Sequence, residues 1–189
     1  MKSIFNRSLS RAGLVLLFST GVILLLTAAQ GKEGRVTQVV QDVKVLAPHV
    51  AARPAHLNDN VTDGSAVHTG ADSRAELSFA DLTITRVGAN SIFSFDQDGR
   101  NVNLESGAIL LRVPKNSGGA RIRSSALTVG ITGTTVMFES HPRNYSKLIV
   151  LEGSSEAWLR NIRERKLPYM LAKCSSSNPA RRICLTQSI

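Results

Sequence analysis

Apolar and polar positions alternate along most of the chain between residues 35 and 159. The alternation is clear in runs such as Ala75/Leu77/Phe79, Ile109/Leu111/Val113 and Leu127/Val129/Ile131. A period of two indicates β-strands with one buried face, and glycines beside Asp, Asn or Ser mark turns between the runs. The pattern therefore predicts an all-β domain. One candidate helix spans residues 158–172, although Pro168 would interrupt it.

A weak internal repeat refines this fold prediction. Three segments share the order polar residue, glycine, small residue, with their glycines at Gly64, Gly107 and Gly153, which are 43 and 46 residues apart. A period of about 45 residues indicates units that stack to share one core. We therefore expect a β-roll or solenoid-like sandwich of short strands.

The N-terminal residues 1–29 predict export from the cytoplasm. Three basic residues and no acidic residue precede or flank an uncharged apolar segment at 12–29, which ends in the small residues Thr27-Ala28-Ala29. This order is typical of a signal peptide cleaved after Ala29. Eighteen apolar residues also nearly span a bilayer as a helix, so a retained membrane anchor is the alternative.

The net charge of +9 lies at the two ends of the chain. Residues 32–157 hold thirteen basic and thirteen acidic side chains, whereas residues 158–189 hold seven basic and one acidic. A nucleic-acid-binding domain carries its basic excess on the folded body, so no nucleic-acid partner is expected. The basic tail at 159–189 could contact anionic lipid or cell-wall polymers, or could simply be solvated.

The two cysteines, Cys174 and Cys184, lie in this tail. They are separated by nine residues, and export would place them in an oxidising compartment. We expect a disulfide between them.

The remaining chemistry favours binding over catalysis. The histidine spacing fits no common metal motif, and the segment at 96–99 is better explained by a hairpin turn than by a calcium loop. The glycine segment at 130–135 lacks the lysine of a phosphate-binding loop. No nucleophile elbow is present, and the acidic residues are scattered in turns. We expect no catalytic residue, no metal and no cofactor.

Five short motifs then occur in a recognisable order. They are a Gly turn at 63–70, a strand at 73–79, a Ser-Gly at 106–107, a Gly-x-x-Gly-Thr at 130–134 and a Val-x-Glu-Gly at 150–153. Over residues 34–158 this order resembles the FecR domain. The positions that carry the family motif are Asp63, Gly64, Gly70, Gly107, Gly130, Gly133, Thr134, Glu152 and Gly153.

The resemblance implies an envelope sensor or regulator. FecR proteins of the founding type span the inner membrane, control an iron-starvation sigma factor and receive a signal from an outer-membrane receptor. Here only 11 residues precede the apolar segment, which is too few to fold around a sigma factor, and Asp81-Leu82 replaces the Asp-Gly of the family turn. Anti-sigma activity is therefore not expected.

The leading hypothesis is a non-catalytic, periplasmic interaction or sensor module that binds another envelope protein or ligand. The alternative is a membrane-anchored regulator of envelope or iron-uptake signalling, held by residues 12–29, which acts on transcription through partners. A third possibility is a wall or polysaccharide binder that uses the basic tail.

Overall fold

The computed structural model describes residues 33–96, 99–159, 170–175 and 182–188, and from residue 159 onward only the backbone. These ranges form sixteen strands and contain no helix, so the all-β prediction is confirmed. Within them no helix is long and apolar enough to cross a membrane, and the predicted leader lies outside them. The strands are β1 (Gly34–Val40), β2 (Val43–Leu46), β3 (Arg53–Pro54), β4 (Asn60–Val61), β5 (Ala66–Thr69), β6 (Arg74–Phe79), β7 (Ile84–Val87), β8 (Ile92–Phe95), β9 (Asn101–Arg112), β10 (Ala120–Arg123), β11 (Leu127–Ile131), β12 (Thr135–His141), β13 (Tyr145–Glu152), β14 (Ser154–Leu159), β15 (Met170–Ser175) and β16 (Arg182–Ser188).

The candidate helix at 158–172 is wrong at both of its described ends, and its residues 160–169 lie outside the described part of the chain. Trp158 lies in β14, opposite Met170 at the start of the antiparallel strand β15. Ser155 and Ala157 of β14 are buried while Glu156 and Trp158 are half-buried, which is the alternation of a strand. At these two ends, sheet pairing therefore overrides the weak helical pattern.

The strands form one continuous sheet, curled like a half-barrel. Its first half, here called the first sheet, has the order β4-β1-β6-β7-β9-β12-β13-β16. The second sheet has the order β3-β2-β5-β8-β9-β10-β11-β14-β15. All pairs are antiparallel except β9 with β10. Strand β9 belongs to both sheets, because its residues 101–106 pair within the second and 107–112 within the first.

The core lies between the two sheets. Each strand turns alternate side chains inward, and the largest buried ones are Phe93, Phe95, Phe138, Leu77, Leu104, Ile109, Leu111, Ile122, Leu127 and Leu148. Phe79 of the first sheet meets Phe95 of the second edge to face, with ring centroids 5.0 Å apart. Burial of these side chains is the main stabilising term, at about 1.5–3 kcal/mol for each fully buried large apolar group.

The chain passes between the two sheets at bends, and these bends form two lines, which are called seams here. The first seam contains the bends at 41–42, 70–73, 88–91 and 107, and the second seam contains those at 132–134 and 153. Several bend residues have positive φ, among them Asp72, Asn90, Gly107, Gly133 and Gly153. The seams interrupt the regular ladder, so side chains must satisfy part of the backbone there.

Candidate functional site

The first seam is held by buried hydroxyl groups. The Thr69 hydroxyl donates to the carbonyl of Gly88 at 2.5 Å and accepts from the amide of Ser91 at 3.0 Å. The Ser91 hydroxyl in turn accepts from the amide of Ala108 at 3.0 Å. Thr69 and Ser91 are completely buried. These hydroxyls replace the backbone bonds that the bends break, so the residues of this seam are structural.

Two predicted motif glycines, Gly70 and Gly107, belong to this seam. The amide of Gly70 donates to the carbonyl of Asp42 at 2.9 Å, and its carbonyl accepts from the amide of Asn90 at 3.0 Å. Gly107 has a φ of +94° and packs against Ser91. Both glycines therefore allow neighbouring bends to approach closely.

The second seam brings Gly133, Thr134, Glu152 and Gly153 together. The Thr134 hydroxyl lies 2.7 Å from the carbonyl oxygen of Ser154 and 2.9 Å from that of Thr132, so it ties β14 to the bend before β12. A β-carbon on Gly153 would lie 2.9 Å from the carbonyl oxygen of Gly133. Glu152 pairs with Thr135 at the end of β13 and is exposed. These residues support the fold and converge on no cleft.

The motif residues Asp63 and Gly64 form the turn that precedes β5. Gly64 has a φ of +75°, and the amide of Ser65 donates to the carbonyl of Thr62 at 3.1 Å. Asp63 is half-buried and Gly64 is exposed. The turn directs the chain from β4 of the first sheet into β5 of the second.

The segment at 130–135 is not an open cradle of amide groups. Gly130 lies within β11, between Arg121 of β10 and Glu156 of β14. The six-membered ring of Trp158 packs on Gly130, because its atoms Cη2 and Cζ3 lie 3.0 Å from the place a β-carbon would take. Gly130 therefore lies within a strand at a close approach, and the approaching group is a side chain.

A shallow cavity lies over Gly130 on the outer face of the second sheet. Its volume is about 380 Å³, and its lining includes Trp158, Arg121, Glu156, Thr132 and the glycine pair at 118–119. The sequence motifs gave no indication of this cavity. The alternation of β14 could have placed Glu156 and Trp158 on one face, but the pairing of β14 with β11 and of β11 with β10 is not readable from one sequence.

The outer face of the first sheet carries an apolar row. Leu110, Met137 and Ile149 are directly opposite one another on β9, β12 and β13 and point away from the core. Each is half-buried, and the neighbouring Leu151 is 39% exposed. The water-facing side of an antiparallel sheet is normally polar, so this row is unusual.

Comparison with known proteins identifies the domain. The chain matches the FecR protein family over residues 65–155, from the residue before β5 to the second residue of β14. These residues form a FecR domain.

Similarity to solved structures is weaker than the match to the family. Two crystal structures of a candidate anti-sigma factor from Parabacteroides distasonis each give a TM-score of 0.48 at 13% identity, covering 65% of this chain. The chain spans 59% of the length of that protein. No curated protein matches the sequence.

The family range includes the second seam and all of the first except its bend at 41–42, and all nine predicted motif positions except Asp63 and Gly64 fall inside it. Seven motif positions therefore lie within the FecR domain. Six of them form or adjoin the seams, and Gly130 seats Trp158. In this FecR domain most of the motif maintains the bends of the sheet.

Among the described residues, Glu76 and Asp59 have carboxyl groups whose pKa is lowered. The guanidinium of Arg86, 2.6 Å away, and the hydroxyl of Thr37 lower the pKa of Glu76. Hydrogen bonds from Arg53 at 2.5 Å and from the amide of His56 lower the pKa of Asp59. Each carboxylate is thus kept ionised by a neighbouring arginine, as in a surface ion pair.

The metal and disulfide expectations both stay predictions. In the described part of the chain no three His, Cys, Asp or Glu residues come together as metal ligands would. Asp96 closes the predicted hairpin, because its carbonyl accepts from the amide of Gly99 and its amide donates to Asn101. Cys174 lies in β15 and Cys184 in β16, but their side chains are outside the described part, so the disulfide stays a prediction.

Proposed function

We propose that this chain is a non-catalytic interaction and sensor module of the cell envelope, in which the FecR domain recognises another protein of a regulatory pathway. The observation that carries this proposal is where the residues of the family motif lie in the fold. Apart from Gly130, which lies under Trp158, the motif residues hold turns and bends of the sheet instead of lining a cavity, so the faces of the sheet are left for recognition.

The apolar row on the first sheet is the surface best suited to a protein partner. Leu110, Met137 and Ile149 form a strip about three strands wide, and Arg86 continues the same row next to Leu110. Apolar groups with a charged border are typical of the centre and rim of a protein interface. A partner that covers the strip would remove these side chains from water.

The absence of catalysis is part of the same proposal. The carboxylates with lowered pKa, Asp59 and Glu76, are each paired with an arginine. A general acid requires the opposite shift, toward neutral pH. Neither residue is therefore suited to donate a proton at pH 7.

The periplasmic location rests on the N-terminal sequence. We propose that residues 1–29 direct export, and that the FecR domain folds outside the cytoplasm. N-terminal sequencing of the protein extracted from the envelope tests this. A start at Gln30 supports a released module, whereas an intact N-terminus supports the membrane-anchored regulator.

The finer description of the fold as a β-roll is also a proposal. Gly107 and Gly153, which are 46 residues apart, both have positive φ and both join one sheet to the other. This correspondence supports repeated units, in each of which the chain passes once from one sheet to the other.

Site-specific photocrosslinking in cells tests the proposed interaction. A benzophenone amino acid at Met137 should give a discrete adduct with one protein, and adding Leu110→Lys should abolish that adduct. The matched control is Ser94, a half-buried position on the outer face of the second sheet. Equal adducts from both positions, or none from Met137, would contradict recognition by the first sheet.

A further inference from the structure

The single tryptophan of the chain lies on a sheet face, outside the core. Trp158 is half-buried on the outer side of the second sheet, next to the completely buried Ala157. Its ring is seated on Gly130, where a β-carbon would lie only 3.0 Å from two of the ring atoms. A large apolar ring held against a glycine and partly open to solvent is a platform on which a flat ligand can stack.

Opposite charges flank this platform. Arg121, Gly130 and Glu156 form one cross-strand row, which places Arg121 and Glu156 two strands, or about 10 Å, apart. Neither side chain forms an ion pair or a hydrogen bond with another described residue. The row therefore offers donors on one side of the ring and acceptors on the other, and Lys173 of β15 continues it beyond Glu156.

The glycine pair Gly118 and Gly119 closes one end of the cavity. Both have positive φ, and a β-carbon on Gly119 would lie 2.8 Å from the carbonyl oxygen of Ile131 and 3.0 Å from the hydroxyl of Thr132. The cavity of about 380 Å³ lies within the usual range for small-ligand sites, which is about 300–1,000 Å³.

We propose that this cavity binds a sugar unit of a polysaccharide. The C–H face of a pyranose ring can stack on Trp158, while its hydroxyls accept hydrogen bonds from Arg121 and donate to Glu156. A phosphate group would gain from Arg121 but be repelled by Glu156. An added peptide strand would need a free sheet edge, and β14 is paired on both sides, with β11 and β15.

Intrinsic fluorescence tests this proposal directly, because the chain has one tryptophan. The purified full chain is titrated with chitotetraose, cellotetraose and maltotetraose, and separately with inorganic phosphate and adenosine. We expect a saturable change with at least one oligosaccharide and none with phosphate or adenosine. No response to any oligosaccharide up to about 10 mM, or a response to adenosine or phosphate alone, overturns the proposal.

Variants measured by isothermal titration calorimetry complete the test. Trp158→Ala, Arg121→Gln and Gly130→Ala should each weaken oligosaccharide binding at least tenfold, the last because its methyl group displaces the ring. The matched control is Arg112→Gln, an exposed arginine on the first sheet, which should bind as the unchanged chain does. Unchanged affinity in both Trp158→Ala and Arg121→Gln overturns the proposed site. The crosslinking at Met137 is independent of this result.

Discussion

Ser91 occupies the space that any side chain at Gly107 would need. Cα and Cβ of Ser91 each lie 2.6 Å from the place a β-carbon on Gly107 would take, which is closer than such atoms are ever found. Gly107→Ala must therefore move the first seam, and at a φ of +94° it also strains its own backbone. We expect a loss of at least about 3 kcal/mol of unfolding free energy, measured by urea denaturation.

Gly64→Ala is the matched control for this experiment. Gly64 also has positive φ, but a β-carbon there would meet only Cγ of Pro48 at 3.4 Å, an ordinary contact. We expect a loss of about 1 kcal/mol, from the backbone conformation alone. Equal losses in the two variants would show that contact with Ser91 contributes nothing.

The second prediction concerns the buried hydroxyl of Thr69. Thr69→Val keeps the shape of the side chain but leaves the amide of Ser91 and the carbonyl of Gly88 without their partner. Buried groups left in this way cost about 1–3 kcal/mol, so the urea midpoint should fall clearly.

Thr85→Val is the opposite case and serves as its control. Thr85 is completely buried, and its hydroxyl has no hydrogen-bond partner within the described residues. Replacing it by a methyl group should leave stability unchanged or raise it by up to about 1 kcal/mol. Destabilisation of Thr85→Val comparable to that of Thr69→Val would contradict the assignment of the seam bonds.

The third prediction is a stabilising change at Leu82. This residue has a φ of +64° in the turn between β6 and β7, where Asp81 accepts a hydrogen bond from the amide of Thr83. Its side chain is 73% exposed, so Leu82→Gly removes strain and little packing. We expect a gain of about 1 kcal/mol, seen as a higher thermal midpoint.

Asn90→Gly is the comparison for Leu82. Asn90 is exposed and has a φ of +50°, but asparagine tolerates this conformation much better than leucine. Its gain should therefore be smaller than that of Leu82→Gly. An equal gain at both positions would mean that the loss of strain at Leu82 is not the cause.

The fourth prediction is a pH dependence that arises from Glu76. Its pKa in the folded chain lies below the ordinary value of 4.5, because of Arg86 and Thr37. The stabilisation is therefore complete above about pH 4.5 and is lost as the pH falls through the folded pKa. Arg86 is 61% exposed, so the effect should stay below about 1 kcal/mol.

Glu76→Gln should remove this contribution and flatten stability against pH between about pH 5 and 3. The control is Glu105→Gln, an exposed glutamate with no hydrogen bond to another described residue. Stability of Glu76→Gln that falls with acid as steeply as that of the unchanged chain would contradict the ion pair with Arg86.

The all-β class was predictable because alternation such as Ala75, Leu77 and Phe79 reports one buried face directly. Glycines at turns were predictable for the same local reason. The double membership of β9 was not, because a twelve-residue strand that changes neighbours at Gly107 has the same alternation as two separate strands. Register between distant strands depends on tertiary packing, which one sequence does not show.

For the candidate site, too, local features were predictable and long-range contacts were not. The motif positions were found from local spacing, but their role in the seams depends on partners far away in sequence, such as Thr134 and Ser154. The cavity beside Trp158 requires three strands to be placed side by side. The sequence also could not show whether the turn at Leu82 would form. It does form, with positive φ, although leucine stands there in place of the family glycine.

Strand β9 has a consequence for how the molecule comes apart. It is bonded to four other strands, β7 and β12 on one side of Gly107 and β8 and β10 on the other. Neither sheet can detach without breaking it, so the domain should melt as a single cooperative unit. The amide protons in the middle of β9 should then be among the last to exchange with deuterium, and only when the whole body opens.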